Sequence, residues 1–186
     1  MKKCVSAVLC IALALSICTH ATAATPDELW LAAESLREQG IMVGDQTGSL
    51  HLDDSLTRAE LAAILCRLRV NQEHIAAEEA LYTRYCTFPD VPEWARVYVG
   101  YCAFNGLMVG YDTGAFGASD SVTPAAACTV VLRHLGISGW DYETACQTAL
   151  DLNLTTPAAV AAESVTRGDV AVMLYRALNT VPSDAE

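Results

Sequence analysis

Arginine in the first turn of a helix sits badly unless an anion is close, and Arg58 falls in such a turn. In "DSLTRAELAAIL" (Asp54–Leu65), Thr57 is an N-cap candidate and Glu60 follows three residues later, the spacing of a capping box. Leu61, Ile64, Leu65 and Leu68 then recur at helical period. A cation beside the positive end of the helix dipole costs up to about 1 kcal/mol. The same turn offers unpaired backbone N–H groups, and a guanidinium fork beside them suits a carboxylate. Thr57, Arg58 and Glu60 therefore read as an anion site, and a bound anion removes the dipole penalty. The plainer alternative pairs Arg58 with Asp53, Asp54 or an acid from elsewhere in the chain. Thr166-Arg167-Gly168-Asp169 repeats the pattern, which makes Arg167 a second candidate ligand-binding residue.

Other reactive residues form no working set. Trp94 can stack on a sugar face, or join Val97, Tyr98 and Tyr101 in the core at helical spacing. Asp112-Thr113-Gly114 matches the aspartic-protease triplet, but that chemistry needs two aspartates sharing a proton, and the aligned stretch elsewhere reads Gln46-Thr47-Gly48. Asp45, Asp53 and Asp54, or Asp112 and Asp120, lack the alternating ligands of a calcium loop. His51, His74 and His134 have no partner at metal-ligand spacing, so no metal and no cofactor is expected. No nucleophile–base set stands in a recognisable frame, and the chain is read as non-enzymatic.

The elements that position these residues repeat. Gly40–Thr57 aligns without gaps on Gly106–Thr123, with nine of 18 positions identical at an offset of 66. The helix after it repeats as well, Leu61, Ile64 and Leu65 matching Ala127, Val130 and Val131. A fainter third copy, Glu163–Leu178, carries Val170, Met173, Leu174 and Ala177 on the same stripe. Thr123 and Thr166 are only 43 residues apart, so the third copy has a shorter loop. Each copy is expected to run from a first helix through a closing residue and a loop to a second helix started by a capping threonine. Thr25-Pro26-Asp27-Glu28 opens the first helix of copy one, and Gly40 closes it. Asp90-Val91-Pro92-Glu93 and Gly106 are assigned those tasks in copy two. In copy three the first helix is expected over Asp141–Leu152, with Asn153 replacing the glycine. Asn71–Cys86 reads as one extra, mostly exposed helix. In copy two Pro124 replaces the arginine; it suits the N1 position but offers neither charge nor fork.

The amino terminus is expected to be a secretory leader: Lys2 and Lys3, an apolar run from Val5 to Ile17, and Ala21-Thr22-Ala23 before a cleavage point. Ile17 before Cys18 is too bulky for a lipoprotein signal, and no other apolar run is long enough to cross a membrane. Without Lys2 and Lys3 the chain holds nine arginines against 22 acidic residues, a net charge of −13. Such a chain repels nucleic acid. Five cysteines follow the leader: Cys66, Cys86, Cys102, Cys128 and Cys146. Three lie in apolar helical stretches and read as buried thiols; one or two disulfides stay open. A helix–loop–helix unit of about 45 residues buries too little surface to stand alone, so the copies must pack on one another.

These segments resemble the S-layer homology (SLH) family. Phe88–Phe116 is similar to the family's F-x-D-V opening with its following W-A, its G-[IL]-x-x-G helix end and its Y-x-x-G-x-F turn. Thr57-Arg58-Ala59-Glu60 matches the T-R-A-E signature. The resemblance covers nearly all of the chain after the leader and implies an all-α fold, with three helix–loop–helix repeats packed as a pseudo-threefold unit with grooves between neighbours. The repeats are then expected at 24–70, 88–138 and, degenerate, 139–180, around an inter-repeat segment at 71–87; the residues themselves give the leader at 1–23 and a disordered tail at 181–186. The resemblance also implies non-covalent attachment of an exported protein to the bacterial cell wall. The ligand would be an acidic secondary cell-wall polysaccharide, pyruvylated in many Gram-positive members, or another peptidoglycan-linked polymer. The signature arginine is implicated in holding the acid. Thr57, Arg58, Glu60, Trp94 and Arg167 are the expected ligand-binding residues. With no passenger domain read in the chain, the alternative is a surface protein–protein module that kept the fold and lost the glycan.

Overall fold

The computed structural model describes residues 22–180. The expected leader lies outside them except for Thr22 and Ala23, and so does the 181–186 tail. Nine α-helices are present among the described residues: α1 (Pro26–Glu38), α2 (Arg58–Arg69), α3 (Gln72–Ala77), α4 (Glu79–Tyr85), α5 (Arg96–Phe104), α6 (Pro124–His134), α7 (Ala145–Asp151), α8 (Pro157–Ala161) and α9 (Arg167–Thr180). The described chain is mostly helical and contains no strand, only isolated bridges such as Ser55 to Thr166 and Thr57 to Ser121. No described helix is long and apolar enough to cross a membrane.

Local sequence explains the helix ends. Thr25, Thr57 and Thr123 each accept an N–H from three residues on, at Glu28, Glu60 and Ala126. Thr57 and Glu60 close the reciprocal box, and Thr166 does the same with Asp169. Gly40, Gly106 and Asn153 end their helices with φ of 69°, 64° and 54°, the left-handed conformation that terminates a helix. The structure departs from expectation in copies two and three. Asp90 caps no helix; its carboxylate accepts the N–H groups of Phe116, Gly117 and Ala118. A 3₁₀ turn, Glu93–Ala95, precedes α5 instead. Asp141–Thr144 forms a hydrogen-bonded turn ahead of a shorter α7, and the short α8 was not foreseen. The Asn71–Cys86 segment is two helices rather than one.

Packing pairs α2 with α5, α6 with α7, and α9 with α1. The second helix of each sequence copy thus lies against the first helix of the next, and the last pair returns to the start of the chain. At the centre three backbone hydrogen bonds form a closed ring: Leu56 N–H to Val165 O (3.0 Å), Val165 N–H to Val122 O (2.9 Å) and Val122 N–H to Leu56 O (2.8 Å). Each of these residues immediately precedes a capping threonine, and each is buried. The ring sets the three helix starts side by side within one apolar core. The α3–α4 insertion docks through Gly100 of α5, where a Cβ would lie 1.7 Å from the Tyr82 carbonyl oxygen.

Candidate functional site: two arginine-lined clefts

The helix starts brought together by the ring carry Arg58 and Arg167, and each arginine reaches into the neighbouring copy's loop. Arg58 Nε donates to Phe116 O (2.9 Å) and Nη2 to Val109 O (2.8 Å). Arg167 Nε donates to Leu50 O (2.7 Å) and Nη2 to Val43 O (3.1 Å). Leu50 and Val43 stand 66 residues before Phe116 and Val109, so the two arginines clamp equivalent carbonyls. The backbone follows: Arg58 and Ala59 N–H bond Asp120 O and Ala118 O, as Arg167 and Gly168 N–H bond Asp54 O and Leu52 O. Pro124 can make neither contact, and it stands opposite the copy whose loop is shortened. The pairing of Arg58 with Asp53 or Asp54 does not occur. Its guanidinium instead lies 4.8 Å from the ring centroids of Tyr111 and Phe116.

Two small clefts open beside these clamps. The first, about 250 Å³, brings Glu60, Trp94 and Arg167 together with Val43, Ala63, Ile64 and Arg67. The second, about 150 Å³, is built around Arg58, Val109, Ala126, Thr129, Val130, Arg133 and Tyr142. Five positions correspond at the offset of 66: Val43 to Val109, Glu60 to Ala126, Ala63 to Thr129, Ile64 to Val130 and Arg67 to Arg133. Each cleft therefore takes a helix face from one copy, an arginine from the preceding helix start and an aromatic from the segment opening the following copy. Trp94 is 53% exposed and does not belong to the core. Thr57 lines neither cleft; its Oγ1 donates to Glu60 Oε2 (2.7 Å) and accepts Glu60 N–H (3.3 Å). Glu60 is engaged on its other oxygen too, 3.3 Å from Arg167 Nη1.

The clefts differ in charge. The first holds two arginines and one glutamate, the second two arginines and no acid. Arg67 is fixed by a 3.0 Å bond to Tyr98 Oη and lies over that ring. Arg133 is exposed and makes no ion pair among the described residues. A third arrangement of the same kind is closed. Arg176, 43 residues after Arg133, is 6% exposed and meets Glu28 through a two-point contact of 2.6 and 2.8 Å. Glu28 stands 66 residues before Trp94, so a carboxylate of the chain fills the place an aromatic takes in the first cleft. The Arg176 guanidinium, by hydrogen bonding first, holds the Glu28 carboxyl below its ordinary value.

Roomier depressions lie elsewhere, one of about 300 Å³ near Leu29 and Met173, another of about 510 Å³ near Trp30 and His51. Neither is lined by an arginine, and both include Asp53. In a strongly acidic chain they repel anions. No cluster of His, Cys, Asp and Glu suited to a metal ion occurs among the described residues.

Known proteins similar to this chain are wall and surface proteins. Over 96% of its length it is 28% identical to the middle cell wall protein of Brevibacillus brevis, of which it spans 18%. Over 73% it is 29% identical to the surface layer protein of Brevibacillus choshinensis, of which it spans 13%. Half of it is 33% identical to cell surface glycoprotein 1 of Acetivibrio thermocellus, of which it spans 4%. No protein-family model matches the chain. The chain is thus similar to S-layer and cell-wall proteins. It is a secreted protein of the bacterial cell wall and surface. It spans less than a fifth of the length of the curated relatives it matches.

Sequence reasoning passed over Arg67, Arg133, Thr129 and Tyr142. The arginines were within reach: residues 67, 133 and 176 are all arginine and lie nine positions after residues 58, 124 and 167, so the copy alignment carried two turns further exposes them. Thr129 has no signal of its own in the sequence, because its interest depends on burial.

Proposed function

We propose that this chain is a non-enzymatic wall-binding module that attaches non-covalently to an acidic secondary cell-wall polysaccharide, or to another peptidoglycan-linked polymer. Its three SLH-like repeats pack about a pseudo-threefold axis. The closed backbone ring at Leu56, Val122 and Val165 and the circular pairing of helices support that arrangement. The observation that carries the function is the pair of equivalent clefts. In a chain of net charge −11, each concentrates two arginines and one exposed aromatic. Guanidinium forks hold a carboxylate, and an indole or phenol face stacks on a sugar ring. Arg58 and Arg167 take the acidic groups with part of their donors while the rest clamp the neighbouring loop. Trp94 forms the stacking wall of the first cleft, and Thr57 and Glu60 fix the helix start beside it.

Co-sedimentation with purified acidic wall polymer tests this. The wild-type chain is retained, and Arg58→Gln combined with Arg167→Gln lowers retention at least tenfold while helical circular dichroism persists. Equal retention of wild type and variant, or no retention of either, rejects the reading.

A protein–protein role is favoured by a different face. The α3–α4 insertion and α5 expose Leu81, Tyr85 and Phe104, with Tyr85 and Phe104 packed edge to face at 4.8 Å. Capture of a specific surface protein that is lost on Phe104→Ser would support that role.

A further inference from the structure

Five cysteines lie among the described residues, and they are not equally protected. Cys66, Cys86, Cys102 and Cys128 are at most 1% exposed, whereas Cys146 is partly open to solvent. Cysteines of an exported protein meet an oxidising compartment. They persist there as disulfides or as thiols sealed in the core.

Two of the helix pairs that join neighbouring copies carry a cysteine on each side. α2 and α5 carry Cys66 and Cys102 across the first join, and α6 and α7 carry Cys128 and Cys146 across the second. The joins differ. At the first, Cys102 Sγ turns to the Ala62 carbonyl oxygen (3.5 Å), and both cysteines are fully buried. No soluble oxidant reaches them in the folded chain. At the second, the two thiols are in side-chain hydrogen-bond contact with each other. The fully buried positions of α7 are alanines, Ala145 and Ala149, so its backbone approaches α6 closely. A disulfide needs that approach, with Cα atoms within about 7 Å.

The third copy has most to gain from a covalent tie. Its first helix, α7, has seven residues and no side-chain cap, against 13 residues for α1 and nine for α5. A helix so short depends on its tertiary contacts, and the loop that follows it is the shortened one.

We propose that Cys128 and Cys146 form a disulfide in the exported protein, stapling the second helix of copy two to the first helix of copy three, while Cys66, Cys86 and Cys102 stay thiols. The oxidant is an organic disulfide, small or protein-borne. The Cys146 thiolate attacks one of its sulfurs, the S–S bond breaks, one thiol leaves and a mixed disulfide forms. Cys128 then gives up its proton, and its sulfur displaces the second thiol. Two electrons and two protons pass from the cysteine pair to the oxidant. Burial pushes the Cys128 thiol up to about 12, so Cys146 starts the exchange and Cys128 completes it.

Peptide mapping of the chain after incubation with oxidised glutathione tests the pairing. Denatured and alkylated without reduction, the chain carries label on Cys66, Cys86 and Cys102 and none on Cys128 or Cys146. Both take label after reduction. A tryptic cross-link joins Val97–Arg133 to His134–Arg167, and fragmentation places the bond on Cys128 rather than Cys102. Reductant lowers the melting temperature of the oxidised wild type by roughly 5–10 °C, the scale of a staple across a short loop. Cys146→Ser, at a partly exposed position, loses the cross-link, and reductant leaves its melting temperature unmoved. That comparison is made within one chain, so the cost of the substitution does not enter. Label on Cys128 and Cys146 without reduction, or a cross-link through any other cysteine pair, overturns the pairing. A wild-type melting temperature that ignores reductant overturns the staple.

Discussion

At Arg58 the guanidinium donates to the carbonyls of Val109 and Phe116, 51 and 58 residues away, and still lines a cleft, with no ion pair of its own among the described residues. The first-turn arginine is thus no misplaced cation: it ties the start of α2 to the loop of the following copy. Pro124 replaces it where the opposing loop is shortened, so clamp and clamped loop are lost together. Arg58→Ala is expected to cost about 2 kcal/mol in urea unfolding, roughly 1 kcal/mol for each hydrogen bond removed. Arg58→Lys should recover less than half, because an ammonium cannot span both carbonyls. An Arg58→Ala chain as stable as wild type would show that the clamp carries no weight. The odd placement of Arg58 could be read from the helix dipole alone. Its partners could not, since backbone carbonyls leave no mark on a sequence. Buried thiols were easier to read: burial pushes Cys66 and Cys128 up to about 12, so both stay protonated at neutral pH.

Among the elements, the capping threonines and the closing Gly40, Gly106 and Asn153 marked most helix ends correctly, because caps act through residues three or four apart. Where the ends depended on distant partners the reading failed. Asp90 resembled a cap and instead gathers three N–H groups of the Phe116–Ala118 turn. The join between α1 and α9 likewise depends on a distant pair, Glu28 with the buried Arg176. The folded-state pKa of Glu28 is depressed, so its contribution is present above the ordinary carboxylate range near 4.5 and is lost as pH falls through the folded value. Glu28→Gln should therefore lose about 2 kcal/mol near neutral pH, as for hydrogen bonds to a charged group. It should then converge on wild type in acid, which thermal melts across that range measure. Parallel curves at all pH values would remove the ion pair from the account.

For the molecule as a whole, composition argues against binding anions and local placement argues for it. The formal charge is −11, yet the ring of three helix starts repeats one arrangement: twice it leaves an arginine-lined cleft open, and once it closes on Glu28. Polymer binding by those clefts should be electrostatic and selective for carboxylates. The measurement that tests this most directly is equilibrium binding of the wild-type chain to wall polymer before and after chemical reduction of the polymer's carboxylates to alcohols. Native polymer should bind, more weakly as salt rises, and the reduced polymer should lose at least tenfold in affinity. Equal binding of native and reduced polymer would contradict an arginine-held acid as the basis of attachment.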